Sequence, residues 1–311
     1  MKQEILGALR ESDGYISGET LCRRFGVTRA AVWKCVKSLR ESGYAIDSST
    51  NRGYKLLDIP DRLLETELGP MLQTRRVGKK IYWFESVDST NERAKKMSVS
   101  APDGAVFIAE EQTAGKGRIG KSWVSEKGAG IWLSVLLKPD CQPRDMSLIS
   151  LVAGVAVCEG IEKATGLAAG VKWPNDVLIQ NKKVCGILPE MSAEFEKIHH
   201  VVLGIGINIK KSSFPAEFSS HAACLSELRG EKIDRKRVAA QVLGCLDDAY
   251  DRYIEAGDHT GLLREFRSRC VTMGHEIRAV SNGKTTLGKA VGVDNTGALI
   301  VETAGGRVTL N

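Results

Sequence analysis

The spacing of apolar residues along the chain changes near residue 60 and again near residue 270. Before the first change, apolar residues recur with the spacing of short amphipathic helices. Between the two changes, strand-like apolar runs alternate with longer helical patterns, and beyond the second change only short alternating segments remain. The pattern predicts an α+β multidomain protein with domains at residues 1–62, 75–268 and 271–311.

The first of these domains has the element order of a winged helix-turn-helix. Helical spacing begins at Ile5, the segment GETLCRRF predicts a second short helix, and Thr28 is a good N-cap for a third helix that ends at Gly43. Strand-like runs at residues 44–46 and 53–57 then flank the polar turn DSSTNR.

The third helix has one apolar face, formed by Val32, Val36 and Leu39, so its basic residues face outward. The outward residues are Arg29, Lys34, Lys37 and Arg40. A basic helix of this kind suits the major groove of DNA, although a solvated helix on a protein-interaction domain is the alternative. The residues predicted to bind DNA are Thr28, Arg29, Lys34, Lys37 and, at the hairpin tip, Arg52.

The central segment predicts a mixed sheet with helices. Its strand-like runs are IYWFES, AVFIAE, IWLSVLL, KVCGIL and HHVVLGIGINI, and its helix-like segments are residues 91–97, 144–165 and 236–255. From residue 272 the short strands are broken at residues 282–283, 295–297 and 305–306, a pattern typical of a small SH3-like β-barrel.

The composition and charge of the chain limit the classes of protein to which it can belong. The chain has 311 residues, of which 42% are hydrophobic and 26% charged, and a net charge of +6 that permits contact with nucleic acid or phosphorylated ligands. The apolar stretch at residues 146–161 is shorter than a bilayer span, and no secretory signal opens the sequence, which predicts a cytoplasmic protein without membrane contact. Eight cysteines without a C-x-x-C pair predict reduced, buried thiols and no metal site formed by the protein.

The stretch GKGRIGKSW, residues 115–123, formally matches both a dinucleotide-binding turn and a phosphate-binding P-loop. No long helix can begin in the following residues, KSWVSEKGAG, and both motifs require one. A nicotinamide-dependent dehydrogenase is therefore disfavoured. Three glycines and three cations without a nearby acid still predict a flexible loop that binds an anion.

Several separated stretches resemble a known family when they are taken in order. They are DSTN at 88–91, EQTAGKGR at 111–118 with Trp123, KWPND at 172–176, KVCGIL at 183–188 and GIGIN at 204–208. This ordered set is similar to the biotin protein ligases, and with the N-terminal helix-turn-helix it resembles their bifunctional, gene-repressing form. The resemblance covers essentially the whole chain.

The resemblance implies an ATP-dependent biotin–[acetyl-CoA-carboxylase] ligase. Such an enzyme activates biotin as biotinyl-AMP, with Mg²⁺ held mainly through ATP, and transfers it to a lysine of a biotin carboxyl carrier protein. The other implied partner is operator DNA, expected to be palindromic and bound by a ligand-promoted homodimer. Two alternatives stay open: a biotin-sensing repressor without ligase activity, and a lipoate or octanoate ligase.

The residues themselves allow roles within this chemistry to be predicted. A carboxylate and a phosphate repel each other, so the catalytic residues are expected to be cations: Lys183, Arg118 and Lys116. The predicted biotin site comprises Ser89, Thr90, Asn91, Gln112, Gly115, Lys116, Gly117, Arg118, Lys183 and Gly186. The predicted ATP and adenylate site comprises Arg118, Lys121, Trp123, Lys172, Asn175, Asp176 and Asn208.

Two positions depart from the family pattern. Lys116 replaces the usual arginine, which keeps the charge but loses the planar guanidinium that binds phosphate with two hydrogen bonds. Pro189 follows the GIL strand, so a bulge or a strand end is expected there.

Overall fold

The computed structural model describes residues 1–140, 146, 148–194, 197–211, 220–281 and 284–310. These residues fall into two compact units, Met1–Arg62 and Leu63–Asn311. The boundary predicted inside the second unit, near residue 270, remains a prediction.

The first unit is the predicted winged helix-turn-helix. Thr28 accepts a hydrogen bond from the amide of Ala31, as an N-cap should, and Gly26 ends the second helix in the left-handed conformation that favours glycine. The elements are α1 (Lys2–Glu11), α2 (Gly18–Phe25), α3 (Arg29–Glu41) and the hairpin β1 (Ala45–Ser49) and β2 (Gly53–Asp58).

The second unit contains the predicted mixed sheet, which has seven strands among the described residues, in the order β3-β4-β5-β9-β8-β7-β6. Among the described strands of this sheet, only β3 and β4 pair in parallel. The strands are β3 (Ile81–Phe84), β4 (Ala105–Ala109), β5 (Gly130–Leu137), β6 (Gly170–Lys172), β7 (Asp176–Ile179), β8 (Lys182–Glu194) and β9 (Lys197–Asn208).

Helices cover both faces of this sheet, so strands such as β4 are apolar at every position. Along β4, Val106 and Ile108 belong to the main core, while Phe107 packs in a second core with Ala94 on the opposite face. Gly160 allows two helices on the main-core side to approach closely, because a Cβ there would lie 2.6 Å from the Cα of Val242. The helices are α4 (Glu65–Leu68), α5 (Thr90–Lys96), α6 (Ile149–Thr165), α7 (Leu225–Arg229), α8 (Arg235–Tyr250), with a π-helical turn at Asp251–Glu255, and α9 (His259–Arg269).

The end of the chain forms the predicted small β-domain, whose described strands pair as a four-stranded antiparallel sheet. The expected break at residues 295–297 lies between its second and third strands, while the break at residues 282–283 lies outside the described residues, as does the expected helix start at residue 144. The strands are β10 (Glu276–Ser281), β11 (Lys284–Val293), β12 (Leu299–Thr303) and β13 (Gly306–Leu310).

Pro189 corrects one expectation from the sequence. Strand β8 continues without a break through this residue, which pairs with Leu203, and the register shifts only later, between Ser192 and Ala193. β7 pairs with β8 no further than Gly186, so beyond that point β8 has β9 as its neighbour on one side and none on the other within the described sheet. An edge position of this kind tolerates the missing amide hydrogen of proline.

In the described part of the chain, no helix has both the length and the apolar content needed to cross a bilayer. The cysteines described there are free thiols and all but Cys22 are buried. Burial raises the pKa of the Cys158 thiol to about 12, which makes it a poor nucleophile at neutral pH.

Candidate ligand-binding and catalytic site

A cleft of about 1160 Å³ lies on the central sheet of the second unit. The strands β5, β8 and β9 supply its floor, the basic loop of residues 116–124 supplies one wall, and residues of the C-terminal sheet supply another. Its volume exceeds the range of about 300–1,000 Å³ that is usual for small-molecule pockets, so it can hold two substrates.

The predicted ligand-binding residues come together in this cleft. Gly115 is the exception, since it does not line the cleft and packs under the loop, where a Cβ would lie 2.4 Å from the carbonyl oxygen of Trp123. The residues that line the cleft are Ser89, Thr90, Asn91, Gln112, Lys116, Gly117, Arg118, Lys121, Trp123, Lys172, Asn175, Asp176, Lys183, Gly186 and Asn208.

One end of the cleft carries a polar network at the start of α5. Gln112 accepts hydrogen bonds through its side-chain oxygen from the amide of Thr90, at 2.8 Å, and from the Thr90 hydroxyl, at 3.0 Å. Its amide nitrogen donates to the hydroxyl of Ser125 at 2.8 Å. Ser89 occupies the N-cap position of α5 but makes no capping hydrogen bond with its side chain. The network fixes the orientation of the Gln112 amide and leaves the Ser89 hydroxyl uncommitted to the helix.

Asn91 lies beside this network, but its amide already has protein partners. The side-chain oxygen lies 2.5 Å from the Ser134 hydroxyl, and the nitrogen donates to Glu190 at 2.7 Å and to the carbonyl of Leu188 at 3.3 Å. The residue is buried, and a Cβ on Gly204 would lie 2.5 Å from its oxygen. These contacts give Asn91 a structural role in joining α5 to the sheet.

The indole of Trp123 lies flat on the sheet over a pair of glycines. Gly186 and Gly206 are directly opposite each other in β8 and β9. A Cβ would lie 2.8 Å from the indole ring if it were added at Gly186, and 2.4 Å if it were added at Gly206. The indole nitrogen is buried and has no hydrogen-bond partner among the described residues. The Lys183 ammonium lies 5.2 Å from the ring centroid. Because neither glycine has a side chain, the indole ring can lie in direct contact with the backbone of the sheet.

We expect Gly206→Ala to lower the affinity for ATP, which the sequence predicts to bind at Trp123, about fivefold or more, because its methyl group would lift the indole from the sheet. Stacking of a base on an aromatic side chain contributes about 1–3 kcal/mol, so displacement of the ring should be measurable. Titration calorimetry with ATP and the tryptophan emission spectrum measure the two effects. Gly244→Ala is the matched control, since a Cβ there meets nothing within 4 Å. Equal affinities in the two variants would contradict this role of Gly206.

Cations from distant segments converge on adjacent residues, Asn175 and Asp176. Lys183 forms an ion pair with Asp176 at 2.6 Å, and Arg118 donates to the side-chain oxygen of Asn175 at 3.2 Å. Asn175 is itself anchored to β8, because its side-chain nitrogen donates to the carbonyl of Ile187 at 2.6 Å. Asp176 and Asn175 thus hold the side chains of Lys183 and Arg118 in one part of the cleft.

Lys116 has a different partner, which ties the basic loop to α5. Its ammonium lies 2.7 Å from the Glu92 carboxylate, which also pairs with Lys95 at 3.1 Å. Hydrogen bonds from Lys116 and then Lys95 lower the pKa of the Glu92 carboxyl group. A carboxylate with a lowered pKa in the folded state contributes its stabilisation above its ordinary pKa of about 4.3 and loses it as the pH falls further.

We expect Glu92→Gln to release Lys116 and increase the rate of trypsin cleavage within residues 116–121 at neutral pH up to about fivefold. Partly exposed ion pairs contribute about 0.2–1 kcal/mol, which sets that limit. Glu159→Gln, which removes an ion pair within α6, is the control. Digestion at the same rate in both variants would show that the Lys116–Glu92 pair does not hold the loop.

The C-terminal sheet contributes residues that the sequence did not predict. Arg278 lines the cleft and is exposed. The backbone amide of Trp173 donates to the Thr272 hydroxyl at 2.9 Å, and the Trp173 indole nitrogen donates to the carbonyl of Gly297 at 2.9 Å. Alternating apolar residues could predict the strands here, but nothing in that pattern indicates what the strands pack against.

In the first unit, α3 presents the predicted basic face, because Arg29, Lys34, Lys37 and Arg40 are all exposed. Arg40 also donates a hydrogen bond to the carbonyl of Ile46 at 2.7 Å, which holds its side chain near the hairpin. Arg52 is at the hairpin tip, 4.2 Å from the ring centroid of Tyr15.

Three sequence families match this chain. The Biotin/lipoate A/B protein ligase family matches residues 83–208, an HTH domain matches residues 2–55, and the Biotin protein ligase C terminal domain matches residues 272–311. Fold, cleft and family matches together define a biotin protein ligase with an N-terminal helix-turn-helix.

Individual proteins that are similar to this chain belong to the same class of biotin protein ligases. The bifunctional ligase/repressor BirA of Bacillus spizizenii is 38% identical over 94% of this chain and 90% of its own length. The chain belongs to the BirA-type family of bifunctional biotin ligase/repressors. The biotin–[acetyl-CoA-carboxylase] ligase of Mycobacterium tuberculosis is 33% identical over 70% of this chain and 80% of its own. A solved structure of Aquifex aeolicus biotin protein ligase, in complex with biotin and ATP, aligns with a TM-score of 0.66 and 31% identity over 75% of this chain and 95% of that one.

Proposed function

We propose that this chain joins biotin to AMP, releasing pyrophosphate, and then transfers the biotinyl group to a lysine of the biotin carboxyl carrier protein of acetyl-CoA carboxylase. The convergence of Lys183 and Arg118 at Asn175 and Asp176, beside the indole of Trp123, is the observation that carries the proposal. Both substrates are anions, and this part of the cleft supplies the positive charge that brings them together.

In the first step, a carboxylate oxygen of biotin attacks the α-phosphorus of ATP, and the bond from that phosphorus to the pyrophosphate oxygen breaks. Lys183 binds the carboxylate, while Arg118 and Lys116 stabilise the negative charge that develops on the α-phosphate. In the second step, the lysine amine of the carrier attacks the acyl carbon and AMP leaves. No side chain of the protein needs to act as a nucleophile.

Mg²⁺ fits a site of this composition when the nucleotide supplies most of its ligands. Asp176 is the one carboxylate among the described residues that line the cleft, and Mg²⁺ commonly uses one or two carboxylates together with substrate phosphates. The described residues also contain no cluster of three metal-ligating side chains. The ion would add positive charge at the phosphates. Lys121 and Lys172 are further cations in the cleft.

The polar end of the cleft favours biotin over lipoate as the acid. Gln112, Thr90 and Ser89 supply donors and acceptors suited to a ureido ring, whereas a dithiolane ring makes no use of them. The test is to incubate the chain with a biotin carboxyl carrier domain, MgATP and either biotin or lipoate, and to measure the mass of the carrier. A mass increase with lipoate alone would contradict the proposal.

The regulatory half of the proposal is that the chain, loaded with biotinyl-AMP, dimerises and represses biotin genes at a palindromic operator. The helix-turn-helix and the exposed basic residues of α3 support DNA binding. Sedimentation with and without biotin and MgATP tests the dimer, and a monomer under both conditions would contradict it. The cytoplasmic location expected from the sequence remains a prediction.

A further inference from the structure

Trp33 is an exposed aromatic residue in the first half of α3. Its exposed fraction is 54%, although the apolar face of the same helix, including Val32 and Val36, is fully buried. The core of the first unit is thus complete without this side chain. Large aromatic residues left on a surface are enriched at binding interfaces, because their burial there stabilises a complex.

The surroundings of Trp33 indicate what kind of partner covers it. Arg29 and Lys37 are four residues before and after it, so the three side chains form one row along the helix. The Lys37 ammonium lies 5.4 Å from the indole ring centroid. Lys34 is also exposed, and the described residues of α3 include no acidic residue before Glu41. A partner that covers Trp33 therefore needs an apolar group that packs against the indole and strong negative charge around that group.

Duplex DNA combines these two properties in its major groove. Phosphates line both edges of the groove, and the C5-methyl group of thymine is the apolar group that a base pair presents on its floor. We propose that Trp33 is a specificity-determining residue that packs against a thymine methyl group while Arg29 and Lys37 contact the flanking phosphates. The inference rests on the DNA-binding half of the proposed function and adds a base preference to it.

A contact with the sugar-phosphate backbone would bury the indole equally well but would not distinguish thymine from other bases. Deoxyuridine separates the two cases because it lacks only the 5-methyl group. Loss of one buried methyl group should weaken binding about fourfold. The decisive quantity is therefore the ratio of the dissociation constants for deoxyuridine-containing and thymine-containing DNA.

The experiment uses the full chain with biotin and MgATP. A duplex pool with a random core supplies the binding site by repeated selection, and fluorescence anisotropy then measures affinity for that site with each thymine replaced in turn by deoxyuridine. For the wild type we expect at least one position with a ratio of about four or more. Trp33→Ala should bring that ratio close to one, and Trp33→Phe should keep most of it.

Two control variants complete the design. Leu57→Ala removes another large exposed apolar side chain of the same unit, 63% exposed on β2, and should leave the ratio unchanged. Arg29→Ala should weaken binding to thymine and deoxyuridine DNA alike. Thermal unfolding verifies that each variant is folded, as expected for exposed positions.

The outcomes distinguish this inference from the proposed function. If the wild type binds its selected site but no thymine position is sensitive, or if Trp33→Ala keeps the ratio, the inference is wrong and DNA binding stands. If the wild type selects no DNA at all, the DNA-binding half of the proposed function is wrong and the inference is overturned with it.

Discussion

Replacing Lys183 with alanine is expected to slow biotinyl-AMP formation by about two to three orders of magnitude, the usual effect of removing one preorganised group that stabilises charge in a transition state. Its ammonium is held 2.6 Å from Asp176, close to the contact between Arg118 and Asn175. Removing it leaves the biotin carboxylate without its cation when it approaches the phosphate. Biotin-dependent release of pyrophosphate from ATP is the measurement.

Lys182→Ala is the control for that experiment. Successive side chains of a strand point to opposite faces of the sheet, and in β8 Lys183 lines the cleft whereas Lys182 is exposed and does not. The control removes the same charge from the adjacent residue and should keep nearly full activity. If both variants react as fast as the wild type, the role assigned to Lys183 is wrong.

The second large effect concerns stability. Arg235 and Glu110 form an ion pair at 2.9 Å, with 1% and 3% of their side chains exposed. Glu110 also accepts a hydrogen bond from the amide of Leu63, and Arg235 donates to the carbonyl of Gly130. We expect Arg235→Met to lower the free energy of unfolding by about 3–5 kcal/mol, because it leaves a buried carboxylate without its cation.

Urea unfolding followed by circular dichroism tests this expectation. The double variant Arg235→Met, Glu110→Gln should be more stable than the single variant, because it removes the unpaired charge. Arg229→Met, which breaks an exposed ion pair with Glu231, should change stability by less than about 1 kcal/mol. A loss for Arg235→Met no larger than that of Arg229→Met would mean that the buried pair does not stabilise the second unit.

The sequence predicted those helices and strands whose formation depends on residues close together in the chain. The cap at Thr28 and the apolar face of α3 are formed within a few residues, so sequence and structure agree there. The strands β6 and β7 were missed because their segments, GVK and DVLI, contain no apolar run longer than three residues, whereas the equally short β3 is apolar throughout. Pro189 was wrongly expected to interrupt its strand because the position of β8 at an edge depends on strand order.

In the candidate site, too, the sequence predicted residue types but not the contacts that depend on the fold. The residue types that converge in the cleft could be predicted because repelling anions require cations, whatever the fold. Their protein partners could not be predicted from the chain. Three features depend on tertiary packing: the pairing of Lys116 with Glu92, the support of Trp123 by Gly186 and Gly206, and the exposure of Trp33. Arg278 lies far from every motif in sequence and enters the cleft only through the fold.

The two hydrogen bonds that join Trp173 to Thr272 and Gly297 bear on how this protein can be shortened. Trp173 and Asn175 lie in the short connection between β6 and β7, and Asp176 is the first residue of β7. Arg118 contacts Asn175 and Lys183 pairs with Asp176. A truncated chain that ends before residue 272 would keep every predicted catalytic side chain but lose the two hydrogen bonds that hold Trp173. The terminal segment that carries Thr272 and Gly297 therefore supports the connection next to the proposed catalytic cations, and we expect a shortened ligase to need it.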